Sequence, residues 1–360
     1  PTRRSSDLSG PKTVDYISNR EDPAVPPTDP EYLAFLEEQI VTSALQAYHS
    51  AQPAEAGFVL ADAHGVGTNR RDPAGPADYQ VPVLLVRSAA HHHPLALMMV
   101  YSMHPTVLQQ NSTLISGDFP GMAREYLQQT IPGLQHCPIL YHTGPCGNLS
   151  PRHTIRDTTF EECRRLGHML GRAVEKALRQ IEFSTEIPLH GLQDFTDMTP
   201  RTFPPVETAK AGLQSALQKL EQTRQNHRPR AEIRTAECDL FGAQETLTLA
   251  KAAAGNELSK TCQSCLPAEI QVFSVGPWKY VGWPGEIFVE YALQIKSKVS
   301  NAFIISLANG ELQGYLVTNE AFREGGYEAS NTLFDPHSGD RLVDHTFQLL
   351  AKPGCQPTKR

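Results

Sequence analysis

Apolar residues recur at two distinct periods along this chain of 360 residues, and the alternation of the two predicts an α/β fold. After a Pro- and Asp-rich stretch over 12–30, Asp29-Pro30 supplies an N-cap with proline at the first helical position. Leu33, Leu36, Ile40 and Ala44 then share one face, which predicts an amphipathic helix over 30–48 packed on the core. Residues 79–87 and 94–102 read as strands, joined as a hairpin across Ser88 to His93. Pro138 to Thr143 is a further strand that runs into a Gly-rich turn over 144–150. Thr159 and Glu162 have capping-box spacing ahead of a long helix whose apolar face is Phe160, Cys163, Gly167, Leu170, Val174, Ala177 and Ile181.

Residues 204–255 have a different pattern. Val206, Ala209, Leu213, Ala216 and Leu220 follow three-four spacing, and Ile233, Ala236, Leu240, Ala243, Leu247 and Ala250 repeat it. With His227-Arg-Pro-Arg230 between them, they predict an antiparallel helical hairpin, either structural support for the α/β body or a lid or dimer contact. Strands at 269–275, 278–282 and 302–308 follow, with helices near 286–298 and 341–351. The fold class is therefore a mixed β-sheet flanked by helices, with the hairpin as an insertion in a single domain over 9–352 and a tail at 353–360.

Composition narrows the partners. Hydrophobic content of 40% and charged content of 20% describe a globular protein. A net charge of −7 argues against nucleic acid or an anionic membrane surface as an obligate partner. No apolar run reaches the length of a bilayer span, and nothing separates a cytoplasmic from a secreted protein or fixes the oligomeric state. Cys262-Gln-Ser-Cys265 lacks the second pair a zinc ribbon needs, so it reads as a local disulfide or two independent thiols. His91, His92 and His93 point in different directions from a hairpin tip and read as an exposed polar turn.

Taken alone, His104 at the end of a strand is a core histidine or a ligand, and Glu286 after Trp283-Pro-Gly is a helix-capping carboxylate or a ligand. The motifs around them carry more. Tyr101-Ser-Met-His-Pro-Thr-Val-Leu, Ser116-Gly-Asp-Phe-Pro-Gly, Gly144-Pro-Cys-Gly-Asn-Leu-Ser-Pro-Arg152, Trp283-Pro-Gly-Glu286 and Gly314-Tyr-Leu-Val-Thr318 occur in that order. Together they resemble the catalytic domain of the neutral/alkaline non-lysosomal ceramidases, zinc amidohydrolases that cleave N-acyl bonds of sphingolipids. The resemblance runs from about residue 9 to about residue 350.

The resemblance implies a Zn2+ ion held by His104, Glu286 and Tyr315, the last a phenol whose proton a nearby dication can displace. It implies that Tyr327, twelve residues beyond Tyr315, donates a hydrogen bond to the developing oxyanion. Arg70 in Gly67-Thr-Asn-Arg70 suits the scissile carbonyl or a polar head group, with Arg71 leaving the register open by one. Ser150 is a positioning hydroxyl or a nucleophile, and a metal-activated water suffices as attacking group. Asp118 is an acceptor orienting a histidine or the N-cap of the helix after Pro120.

The implied activity is zinc-dependent amide hydrolysis on an N-acyl lipid or another small-molecule amide such as a peptide or acylated sugar. The remaining reading is a binding protein that keeps the fold. In that family a Thr-His-Thr-His-Ser-Gly-Pro motif precedes these segments, whereas here Ser9-Gly-Pro11 follows Pro1-Thr-Arg-Arg-Ser-Ser-Asp-Leu8, which reads as a translated sequencing adapter. A further zinc ligand and a proton-shuttling histidine are thus expected to be missing, with weak zinc binding and trace activity as the consequence. The family's C-terminal β-sandwich is likewise expected to be absent.

Overall fold

The computed structural model describes residues 13, 17, 27–109, 112, 114–255, 257–310 and 312–352. The adapter-like octapeptide, Ser9-Gly-Pro11, most of the 12–30 stretch and the 353–360 tail lie outside the described residues. In chain order the first half forms α1 (Pro30–His49), β1 (Ala54–Asp62), β2 (Thr68–Asn69), β3 (Gln80–Ser88), β4 (Pro94–Tyr101), α2 (Asp118–Thr130), β5 (Ile139–Thr143), β6 (Leu149–Ser150), α3 (Phe160–Leu178) and β7 (Phe183–Ser184). The second half forms β8 (Leu189–Thr196), α4 (Val206–Gln225), α5 (Arg230–Ala254), α6 (Glu257–Cys265), β9 (Ala268–Val275), β10 (Trp278–Gly282) and β11 (Gly285–Ile287). It continues with α7 (Val289–Lys298), β12 (Ala302–Ile305), β13 (Leu312–Leu316), α8 (Asn319–Glu324), α9 (Tyr327–Ser330) and α10 (Ser338–Ala351).

The mixed sheet flanked by helices is present, distributed over two larger sheets ordered β5-β4-β3-β1-β7 and β12-β10-β9-β8. In each, one pair is parallel, β4 with β5 and β10 with β12, and the other pairs are antiparallel. Strand periodicity sorts the side chains into layers. Leu97, Met99 and Tyr101 of β4 pack with Phe119, Leu127, Leu166 and Leu170 of α2 and α3. Met98 and Val100 turn the other way, onto Trp278, Tyr280 and Phe303 of the second sheet. Phe58 and Trp278 meet edge-on with ring centroids 5.1 Å apart. The far face of the second sheet carries Ile270, Val272 and Ile304 onto Tyr291 and Ile295 of α7 and Leu342 and Leu349 of α10. Each fully buried Leu or Val in these layers contributes about 1.5–3 kcal/mol relative to exposure.

The hairpin forms as expected, with Leu213, Ala216 and Leu220 of α4 against Ile233, Ala236 and Leu240 of α5. Lys219–Asp239 and Arg224–Glu237 ion pairs of 2.7 and 2.8 Å fix its antiparallel register. Its far end departs from the expected seam. Leu249, not Leu247, enters the main core, because α5 leaves α4 there and packs on the α/β body.

Three expectations need correction, and the alternative left open at Cys262 and Cys265 is resolved. Helix α1 forms, with Asp29 Oδ1 accepting from the Glu31 and Tyr32 amides at 2.9 and 3.3 Å, but none of its residues is buried. Ile40 and Ala44 of the expected face are exposed, and Phe35, Val41 and Leu45 on other sides of the helix are all more than half exposed, so the expected stripe does not pack on the core. The helix expected from 286 begins at Val289, and Glu286 sits on the short strand β11. Strand β12 stops at Ile305, where Leu307 and Asn309 take positive φ angles of 56° and 66°. Cys262 and Cys265 are both free thiols on α6, so the local disulfide does not form. The histidine tip is an exposed turn, with His92 Nδ1 2.6 Å from Glu55 Oε1.

Gly314 makes the most demanding backbone approach. Its φ is +85°, and a Cβ there would lie 1.7 Å from the Asn331 carbonyl oxygen. Gly314→Ala is expected to cost about 3 kcal/mol or more, or to prevent folding, in chemical denaturation. Gly212 on α4 faces open space, so Gly212→Ala should instead stabilise by about 0.5–1 kcal/mol.

Candidate functional site

Loops that leave the carboxyl ends of the two parallel strand pairs converge, the usual location for a ligand site in an open α/β sheet. The loop after β4 carries His104, whose amide donates to Leu149 O at 3.2 Å. The loop after β5 is the Gly-rich turn, and Gly147 N–H donates to Ile287 O at 2.9 Å. A Cβ on Gly147 would meet the Ile287 carbonyl at 3.0 Å, so the close approach requires glycine. The segment after β10 becomes β11, which pairs in parallel with β13 and sets Glu286 opposite Tyr315.

Asn148 ties these segments together. It is buried, its Oδ1 accepts from Val289 N–H at 3.0 Å, and its amide donates to Glu290 at 2.8 and 3.0 Å. Its carbonyl accepts from Arg70 N–H at 2.7 Å. Asn69 Oδ1 accepts from the Arg71 amide at 3.0 Å, and this Asx turn presents the two arginines.

Side chains from five segments now meet. His104 Nε2 lies 3.9 Å from Glu286 Oε2, and both residues are buried. The His104 ring stands edge-on to Tyr315 at 6.4 Å, and Tyr315 to Tyr327 at 5.8 Å. The Arg70 guanidinium lies over both tyrosine rings, 5.5 Å from Tyr315 and 5.8 Å from Tyr327. Of the two arginines it is Arg70 that faces the tyrosines, while Arg71 reaches Glu324 and Glu328 at 2.9 and 3.1 Å.

The electrostatics centre on Glu328. Its Oε1 is 2.7 Å from Arg70 Nε, and Arg70 also donates to Gly147 O at 2.6 Å. Burial works against ionising Glu328, yet Arg70, Arg152 and Arg71 together hold its carboxyl below the usual range. Burial likewise opposes the Arg70 charge, and the Glu328 carboxylate with a hydrogen bond to Tyr315 more than offsets it. Tyr315 is pushed upward, first by burial and then by the Glu286 carboxylate, so its phenol is protonated in the protein as it stands.

The structure thus brings together His104, Glu286, Tyr315, Tyr327 and Arg70. The pairing of β6 with β2 sets Ser150 opposite Thr68, two residues before Arg70, and its Oγ accepts from Arg152 N–H at 3.3 Å as the cap of a 3-10 turn. Asp118 is not the N-cap, which is Gly117; it sits at the first position of α2 and accepts from Leu108 N–H at 2.9 Å and Phe119 N–H at 2.7 Å. It therefore holds the loop that follows His104. Glu328, Asn148 and Arg152 were not legible from the sequence. Their partners are distant along the chain, and only the adjacency of Glu328 to Tyr327 hinted at a role.

No protein-family profile and no curated protein sequence matches the chain. Two solved structures do share its fold over 91% of its length. One is a neutral ceramidase from Pseudomonas aeruginosa, with TM-score 0.64 and 17% identity over 56% of that protein. The chain has the fold of a neutral ceramidase. The other is a ceramidase complexed with C2, with TM-score 0.61 and 16% identity over 57% of that protein. The chain spans just over half the length of both. At such identity the likeness concerns the fold, and the chemistry must be argued from the residues.

Glu328 provides a pH-dependent test. Because its folded pKa is depressed, its contribution is whole above the unfolded value of about 4.3 and is lost as pH falls through the lower folded value. Glu328→Gln strands Arg70 and is expected to cost about 3–5 kcal/mol at pH 7. The gap between variant and wild type in urea denaturation should narrow below pH 4.3 or so.

Proposed function

We propose that this chain is a hydrolase of acyl amides, with zinc as the metal and N-acyl lipids of the ceramide kind as the preferred substrate class. The observation that carries the reading is the buried convergence of His104, Glu286 and Tyr315 beside Arg70 and Tyr327, within a neutral-ceramidase-like fold.

The donor set fits a zinc ion. A tetrahedral ion with bonds of about 2.0–2.2 Å holds its donors about 3.4 Å apart, and His104 Nε2 and Glu286 Oε2, 3.9 Å apart, would reach it with a small side-chain shift. Tyr315 pairs with Glu286 across the strands, hydrogen-bonds its carboxylate and supplies a third donor. Among the described residues no group of three or more His, Cys, Asp and Glu is placed to hold a metal. His104, Glu286 and Tyr315 would hold the ion, joined by a histidine ahead of Ser9 in the family pattern. Such an ion supplies Lewis acidity toward a carbonyl and lowers the pKa of water to about 7.

The chain's own groups do the rest. Arg70, fixed by Glu328 and Gly147 O, keeps a positive charge beside the two phenols and favours negative charge developing on a carbonyl oxygen there. Tyr327 is half-buried, and its hydroxyl donates to that oxygen. Ser150 orients the substrate through its hydroxyl. No helix among the described residues is long and apolar enough to cross a membrane.

The test compares the chain as it stands with one carrying His-Thr-His ahead of Ser9, each given an N-acyl sphingoid lipid, an acyl peptide and an acylated sugar. Zinc-dependent release of fatty acid from the lipid is expected, greater in the second form; release only from the peptide or sugar would move the substrate class. His104→Ala and Glu286→Ala should each remove most bound zinc by elemental analysis. Near-stoichiometric zinc in both variants would rule out this ligand set.

A further inference from the structure

The short helix α9 carries both Tyr327 and Glu328, yet a single turn has too few internal hydrogen bonds to hold its own position. Gly325 and Gly326 ahead of it both take left-handed φ angles, 77° and 89°, so the preceding chain offers little restraint. Its position must come from outside.

Besides the ion pairs of Glu328 with Arg70 and Arg71, two elements supply it. Arg201 donates to Ala329 O at 2.6 Å and to Ser330 O at 3.3 Å, the carbonyls at the carboxyl end of α9, where a cation also complements the helix dipole. Its guanidinium lies against Phe203 and Phe322, with ring centroids 4.4 and 5.6 Å away, and its own amide donates to Leu333 O. Helix α5 also packs on α9. Gly242 leaves no room for a side chain, since a Cβ would lie 2.9 Å from Ser330 Cβ and 3.3 Å from Tyr327 Cα. One turn further, Thr246 Oγ1 donates to Ser330 O at 3.5 Å. One turn earlier, Cys238 Sγ accepts from Arg152 at 3.2 Å, two residues beyond Ser150. Cys238, Gly242 and Thr246 are spaced by four and so share one face of the helix.

We infer that the α4/α5 hairpin, together with Arg201, is a positioning device for α9, setting where Tyr327 and Glu328 stand relative to Arg70. Arg201 and Gly242 are positioning residues that act through α9 and touch no substrate. The inference rests on Tyr327 and Glu328 being site residues. It assigns the hairpin a purpose other than a lid or dimer contact.

Hydrogen exchange on the full chain tests it without any need for activity. Gly242→Leu, Gly242→Ala and Arg201→Met are expected to speed exchange of the amides at 326–331 by about tenfold or more, with little change in β9, β10, α7 and α10. Arg201→Lys, which keeps a cation for one carbonyl, should restore part of the protection, and Gly212→Ala on α4 should leave it as in wild type. If Gly242→Leu does not fold, the alanine and methionine variants decide. In a form that hydrolyses an acyl amide, the same variants should lose about tenfold or more in kcat with KM within about threefold. Unchanged exchange at 326–331 in Gly242→Ala and Arg201→Met would overturn the inference, as would equal loosening in Arg201→Lys and Arg201→Met. A wild-type chain that hydrolyses none of the substrates would count against the amidase reading alone, since the exchange result stands apart from it.

Discussion

A guanidinium taken out of water must be paired, and most of this site is arranged around that requirement for Arg70. Moving such a charge into the interior costs several kcal/mol even after relaxation, and only a nearby carboxylate with good hydrogen bonds compensates for it. Glu328 is that carboxylate, Gly147 O takes a second guanidinium bond, and the two tyrosine rings cover the cation. Meeting these needs brings the turn after β2, the Gly-rich loop, β13 and α9 into one place. Removing the ion pair would therefore loosen all four of these segments.

Precision at the site comes from close backbone approaches between loops that leave a rigid four-layer body. The layers themselves are ordinary α/β packing, with strand periodicity dividing the side chains between helix-facing and sheet-facing cores. At the strand ends, Gly147 abuts Ile287 and Gly314 abuts Asn331, so that neither loop can shift without a clash. Asn148 then joins Arg70 to the segment carrying Glu286 through one buried side chain and its carbonyl. A site built this way is preorganised by its supports, which is what electrostatic stabilisation of a transition state requires.

Long periodic elements were legible in the sequence because local physics determines them. The strands about the histidine tip, helix α3 with its Thr159 cap and the α4/α5 hairpin all appear near their expected bounds. The resemblance to a known family located His104, Glu286, Tyr315 and Tyr327, and the structure brings these together. Burial was harder to read. Helix α1 has the right spacing at four positions but carries apolar residues all round, so periodicity alone overstated its packing. Glu328 and Arg201 were invisible because a charged residue in isolation reads as surface, and what buries each lies far away along the chain: Arg70 for Glu328, the carbonyls of α9 for Arg201.

The central claim is that His104, Glu286 and Tyr315 form one metal centre. Crystals of the full chain grown with zinc, with diffraction collected on both sides of the zinc absorption edge, address it most directly. The account predicts a single strong anomalous peak within bonding distance of His104 Nε2, a Glu286 oxygen and Tyr315 Oη. No peak at that position, or an ion bound by other residues with these three left as they are, would contradict it.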